Sequence, residues 1–316
     1  MSPSDNGDLT EKLEDPRPGK RLELGDFKRA FQRFQKDEMS DRAAALTYYS
    51  LLSLFPALLF GVASLGYFGG SRLIADAADY LLQAGAPRET VDAVTKALES
   101  AQSQRGTAFT ALVIALATSL YGASGAFGAV GRALNVVWRV EEGRNFIRRK
   151  AHDIGWTAVL LVLVIITFVL IFVGGDVAQD LLGTIGLGSV AADVWLIARW
   201  PAALVFAMVI YAVVYYAAPN VEVPRFQFLT PGAVVGVVAW IVASGGFFFY
   251  ASNFSSYSAT YGAFAGAVIL LVWLWLTNIV LLLGAELNAV IDIRRSPELS
   301  QRYDGPPLSE KVPADA

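Results

Sequence analysis

The sequence predicts an all-α integral membrane protein, and three observations carry that expectation. Hydrophobic residues make up 55% of the 316-residue chain and charged residues only 17%, whereas a soluble domain carries roughly a quarter charged residues. The apolar residues are not spread evenly but fall in blocks of about twenty, the length that crosses a bilayer as a helix. The stretch 263–291, which holds FAGAVILLVWLWLTNIVLLLGAELNAVI, has Glu286 as its single ionisable residue. Six spans are predicted, at about 43–68, 107–137, 155–175, 201–218, 231–250 and 263–291, within one membrane domain covering 43–292.

Residues 1–23 are polar and Pro-rich, with little to bury against the entropy of ordering, and are predicted to form a disordered cytoplasmic tail. They lack the apolar core of a signal peptide, so the first span is expected to direct insertion. Residues 24–42 follow as an amphipathic surface helix. Asp26 is placed to cap it, Phe27, Ala30, Phe31 and Phe34 share one side, and Lys28, Arg29, Arg33 and Lys36 flank them. That pattern suits a helix lying on an anionic membrane surface, or one packed on the domain's own cytoplasmic end.

In the first span, Pro56 removes a backbone donor and predicts a kink. Tyr48, Tyr49, Ser50 and Ser53 precede it, and local bonds to the helix backbone account for such hydroxyls. Residues 71–104 are too polar to span. Leu73, Ile74, Ala77, Ala78, Leu81 and Leu82 recur at helical spacing, Gly85 and Pro87 punctuate, and Val91, Val94 and Leu98 give a second apolar side. A small helical hairpin on the outer face of the bundle is expected. The second span carries Gly122, Gly125, Gly128 and Gly131 at every third position, read as close helix packing in preference to a substrate path. A basic loop, WRVEEGRNFIRRKAHD, follows and holds the single histidine, His152. The third span is almost featureless, and a loop through residue 195 leads to the fourth. Thr230 and Pro231 look like an N-cap and first helical position for the fifth span. ASNFSSYSATYG reads as a polar aromatic turn into the sixth, and 293–316 reads as a disordered cytoplasmic tail.

Most of the 25 Lys and Arg residues fall in the N-terminal tail and helix, the loop after the second span and the C-terminal tail. The positive-inside rule therefore places both termini in the cytoplasm. The same orientation gathers Asp41, Arg42, Arg132, Asn135, Glu286 and Asn288 in the cytoplasmic leaflet as a candidate polar binding cluster. A carboxylate buried at that depth needs a basic partner, and Arg132 or Arg42 is expected to supply it. The alternative is that Glu286 reaches the headgroup region and meets water or Arg294.

The motifs DRAAALTYYSLLSLFPALL, ALNVVWRVEE, YYAAPN, TPG and YGAFAGAVILLVWLWLTNIVLLLGAELNA, in this order, resemble those of the YihY/BrkB family of bacterial inner-membrane proteins. The resemblance covers about residues 26–292 and implies six spans with cytoplasmic termini. Its members have been called ribonuclease BN, virulence or serum-resistance factors, and transporters. No accepted catalytic residue comes with it.

Three functions compete. The first is transport or lipid handling around a polar site in the cytoplasmic half. Its partners would be the bilayer, anionic lipid head groups at the cytoplasmic face and a small-molecule or lipid substrate. The second is an envelope scaffold or assembly partner. The third, a membrane-bound ribonuclease, is not expected. Metal-dependent phosphodiester cleavage wants clustered ligands, and one histidine, no cysteine and scattered carboxylates supply none. No cofactor, metal site, catalytic residue or nucleic-acid partner is predicted. The absence of cysteine also excludes disulfides and thiolate chemistry.

Overall fold

The computed structural model describes residues 22–68, 88–103, 105–172, 188–221, 229–252 and 255–295, and four single positions between 75 and 82. Both tails (1–21 and 296–316), most of the first half of the hairpin and Arg225 lie outside the described residues. Among the described residues every regular element is an α-helix: α1 (Leu24–Lys36), α2 (Met39–Phe68), α3 (Arg88–Ser103), α4 (Arg105–Val137), α5 (Phe146–Phe172), α6 (Gly188–Ala217), α7 (Pro231–Ser252) and α8 (Ser255–Arg295). Five described helices contain stretches long and apolar enough to cross a membrane: 113–137, 146–167, 194–217, 231–250 and 266–293.

Local chemistry sets the helix ends. In α1 the first residue is Leu24, so Asp26 lies inside the first turn instead of capping it. There its Oδ2 accepts the Glu23 amide at 3.0 Å while its own amide donates to the Glu23 carbonyl at 2.9 Å. An acidic residue in that turn also suits the positive end of the helix. The surface helix expected over 24–42 breaks at Asp37 and Glu38, where Glu38 adopts φ 51°, and Asp41 and Arg42 become the first turn of α2. Asn145 caps α5 by accepting the Arg148 amide at 2.9 Å, which makes the second half of the expected basic loop helical. For α7, Thr230 Oγ1 accepts the Ala233 amide at 3.1 Å, the N-cap geometry its sequence suggests.

Two more helices run well past the expected span boundaries. α6 starts at Gly188 and carries Pro201 inside it, because a spanning helix flanked by others absorbs one missing donor. α8 starts at Ser255, so most of the expected aromatic turn is helical. Nothing between Ser255 and Phe264 is a proline, and the helix continues through Gly262. At 41 residues α8 is about 60 Å long, twice the hydrocarbon core.

α2 packs most extensively on α4, α7 on α8 and α5 on α6, and α8 also touches α1, α2 and α4. The core gathers Met39, Leu46, Leu134, Val237 and Leu282, all at most 2% exposed. Glycines set the closest approaches. A Cβ on Gly131 would lie 2.7 Å from the Ala218 carbonyl, and one on Gly284 would run into Tyr215 Oη and the Gly232 carbonyl. Buried and half-buried polar side chains join the helices where lipid provides no drive to associate. Asn278 donates to Thr47 Oγ1 at 3.2 Å, Tyr215 Oη to the Leu281 carbonyl at 2.7 Å and Trp240 to Thr277 Oγ1 at 3.1 Å. On α2, Ser53 bonds back to the Ser50 carbonyl at 2.7 Å, the local satisfaction expected of it. α3 buries Val91 and Leu98.

Candidate functional site

Charge concentrates where α1 docks across the ends of α4 and α8. α1 splits its apolar side: Ala30 packs inward beside Leu287, Val290 and Ile291, Phe34 joins the main core with Met39 and Leu134, and Leu24, Phe27 and Phe31 stay exposed. Arg33, on the inward side, donates from Nε to Glu286 Oε2 at 2.9 Å and from Nη2 to the Val137 carbonyl at 3.0 Å. That carbonyl belongs to the last turn of α4, whose orphan acceptors favour a cation. Asp37 lies 3.9 Å from Arg33 and accepts from Arg139 Nη2 at 2.6 Å. Glu286 is 0% exposed and Asp37 and Arg139 are below 10%. Two carboxylates and two guanidinium groups thus neutralise one another, three of them buried and Arg33 with its side chain 18% exposed.

The pairing differs from the expectation in its partner. Glu286 is held by Arg33, not by Arg132 or Arg42. Arg132 faces away from this cluster, with its guanidinium 5.7 Å from the centre of the Tyr49 ring. Arg42 donates to the Asp37 carbonyl at 3.3 Å. α1 brings its own cation because it packs on the bundle. The signal was present in the sequence, since Asp26, Ala30, Arg33, Phe34 and Asp37 recur at the i, i+4, i+7, i+8, i+11 spacing of one helix face.

Asn135 and Asn288 lie in two other arrangements. Asn135 Oδ1 accepts the Asn220 amide at 2.6 Å and its Nδ2 donates to Glu142 at 3.3 Å. Glu142 takes Arg144 in a two-pronged pair at 2.7 and 3.0 Å, the strongest geometry for such a pair. Burial pushes the Glu142 carboxyl up, but hydrogen bonds and charge from Arg144, helped by Asn135, hold it below the ordinary carboxylate value. Arg144 also approaches His152 at 3.0 Å, and His152 Nδ1 lies 3.6 Å from Asp153. Asn288 fastens the start of α7 to α8. Its Oδ1 accepts the Gly232 amide at 2.7 Å and its Nδ2 donates to Thr230 Oγ1 at 3.0 Å. Asp41 is exposed on the first turn of α2. The six sequence-derived residues therefore do not converge on one point. Arg33, Asp37 and Arg139, which the sequence reading left out of the cluster, complete the group around Glu286.

Long apolar helices crossing beside one another, with charge buried at one end, define a multi-pass helical membrane protein. The family model described as virulence factor BrkB matches residues 30–306. The chain belongs to that family, and so to the proteins of the bacterial inner membrane. A relative in Bacillus subtilis (strain 168), called a ribonuclease-like protein, YfkH, by a provisional name, is 30% identical over 85% of this chain and 96% of its own length. A UPF0761 membrane protein of Halorhodospira halophila is 30% identical over 87% of this chain, but the chain covers only 58% of that protein. A UPF0761 membrane protein of Aeromonas salmonicida is 28% identical over 84% of this chain and 89% of its own. No solved structure matches the chain.

Proposed function

We propose that this chain is a transporter or lipid-handling protein with its polar site at the cytoplasmic end of a six-span bundle. In this reading α2 supplies the sixth span at 43–68, both termini are cytoplasmic and the 71–104 hairpin lies outside. The observation that carries it is the largely buried group of Arg33, Asp37, Arg139 and Glu286. Desolvating Asp37, Arg139 and Glu286 costs several kcal/mol for each, roughly, and a buried pair is a poor way to gain stability. Moreover, Glu286 Oε1, Asp37 Oδ2 and Arg139 Nε have no hydrogen-bond partner among the described residues. Buried polar capacity left unused within reach of a spanning helix supports a site that exchanges partners.

No enzymatic role is proposed, and the ribonuclease-like name stays with the Bacillus relative. The test uses the purified full chain in proteoliposomes, comparing native protein with Glu286→Gln. Uptake and efflux of labelled ions and small molecules are followed together with transbilayer movement of fluorescent phospholipids. A flux that the substitution alters by about tenfold supports the reading, since that change corresponds to about 1.4 kcal/mol. Equal traces from native protein, variant and empty vesicles for every probe would leave the scaffold role as the better account.

A further inference from the structure

A second group of cations lies along α4, away from Glu286. Tyr121, Gly125, Gly128 and Arg132 recur at i, i+4, i+7 and i+11 and so share one face, a line about 16 Å long. Tyr49 of α2 closes one side, with its ring edge 4.0 Å from where a Gly125 Cβ would stand and its face under Arg132. On the other side Lys150 of α5 reaches back along α4. Its Nζ sits 4.0 Å from the centre of the Tyr121 ring and donates to Ser124 Oγ at 2.7 Å and to the Tyr121 carbonyl at 3.3 Å. One face thus carries the Arg132 guanidinium beside Gly128 and the Lys150 ammonium beside Ser124.

Among the described residues Arg33, Arg139 and Arg144 form ion pairs with Asp or Glu, but Arg132 and Lys150 form none. Asp153 reaches the same face: a Gly128 Cβ would meet its Oδ2 at 2.6 Å and Arg132 Nη1 at 3.7 Å, so this carboxylate stands near Arg132 without forming an ion pair with it, and His152 lies 3.6 Å from it. Both cations lie within stretches apolar enough to span, 113–137 and 146–167. A positive charge there is costly unless something neutralises it. Lys150 could extend toward the nearer helix end, as lysines in spans usually do, but it is directed along α4 toward the interior of the span. Arg132 and Tyr121 are exposed on the flank of the bundle, so the counter-charge can arrive sideways.

We propose that the α4 face between Arg132 and Lys150 is a lateral binding site for the phosphate headgroup of an anionic lipid drawn from the surrounding bilayer. This rests on the lipid-handling form of the reading above and gives it a substrate class. Guanidinium and ammonium groups suit phosphate oxygens. The bilayer is the source because the face opens on the side of spanning helices. The Arg132 guanidinium beside Gly128 and the Lys150 ammonium beside Ser124 give the headgroup two cationic stations about one helical turn apart, the second deeper than the first.

The chain contains no cysteine, which permits a charge-rescue test on one folded polypeptide. Arg132→Cys and Lys150→Cys are purified as full chains in detergent with mixed phosphatidylglycerol and phosphatidylcholine, and retained lipid is weighed by native mass spectrometry. Native protein is expected to enrich phosphatidylglycerol, and each variant to lower that enrichment roughly fivefold. A cationic thiosulfonate on the new cysteine should restore it, and an anionic one should not, which separates charge from folding. Unchanged enrichment in the variants, or rescue by both reagents alike, overturns the proposal. So does displacement of the lipid by millimolar inorganic phosphate, which would make the ligand a soluble anion. Lipid binding that follows this pattern without any flux in proteoliposomes would sink the transport reading and leave this site standing.

Discussion

Arg33 and Glu286 offer the sharpest test of how α1 is held. Glu286 is 0% exposed, and its only hydrogen bond among the described residues comes from Arg33. The Arg33 side chain is 18% exposed and also meets the Val137 carbonyl and Asp37. The two single substitutions should therefore be unequal. Arg33→Met strands a carboxylate in the protein interior and should cost about 3–5 kcal/mol. Glu286→Leu leaves an arginine that still has acceptors and partial solvent access, and should cost about 1–3 kcal/mol. The double variant removes both charges and keeps apolar volume, so it should recover much of the loss. Its cost should fall below the sum of the singles by about 2 kcal/mol or more. Reversible unfolding in mixed micelles, followed by fluorescence of the seven tryptophans, measures all three. Arg33→Lys should not rescue, because one ammonium does not reproduce the fork that serves Glu286 and Val137 together. Additive single costs, with coupling below about 0.5 kcal/mol, would refute the pairing as the fastening of α1.

Two further outcomes follow from the same geometry. Gly284→Ala places a methyl group against Tyr215 Oη and the Gly232 carbonyl and should destabilise the α7–α8 contact by about 1–3 kcal/mol. Gly245→Ala, with nothing within 4 Å of the added carbon, should be neutral or stabilising by up to about 1 kcal/mol in the same assay. Glu142 has a folded-state pKa below its ordinary value, so it contributes stability that is present above the unfolded value. That stability is lost as pH falls below about 4.5 and through the folded value. Glu142→Gln should flatten that part of the acid limb of a stability–pH curve, and an unchanged limb would count against Arg144 as the cause.

The fold was legible because its signals are long. A block such as 231–250 is apolar throughout and bounded by Thr230 and Pro231, and α7 is observed from Pro231 to Ser252. Boundaries were less legible where polar residues enter a helix. Residues 146–153 read as a basic loop, yet Asn145 caps a helix there; Pro201 reads as a start, yet α6 passes through it. In both places composition suggested an end that backbone hydrogen bonding did not require. Solvent-facing turns of a spanning helix are as free to be polar as a loop is.

The site was legible only in half. Glu286 stood out because one carboxylate in an apolar run is conspicuous, but Arg33 stood among other cations on α1 and nothing local marked it. What distinguishes it is register, which matters only once α1 is packed on α8 instead of lying apart on a membrane surface. Asp37 and Arg139 were hidden for a different reason. Both sit at helix ends, and two of the residues there adopt left-handed backbone, Glu38 at φ 51° and Arg139 at φ 51°. After α4, Val140 donates to the Asn135 carbonyl at 2.9 Å and Arg139 to the Val136 carbonyl at 3.1 Å, the pattern in which glycine normally occupies the left-handed place. An arginine there costs about 1–2 kcal/mol in backbone strain. Glycine would relieve that strain, but it could not reach Asp37, so the side chain accounts for the residue. The strained turn presents the guanidinium that completes the buried group around Glu286.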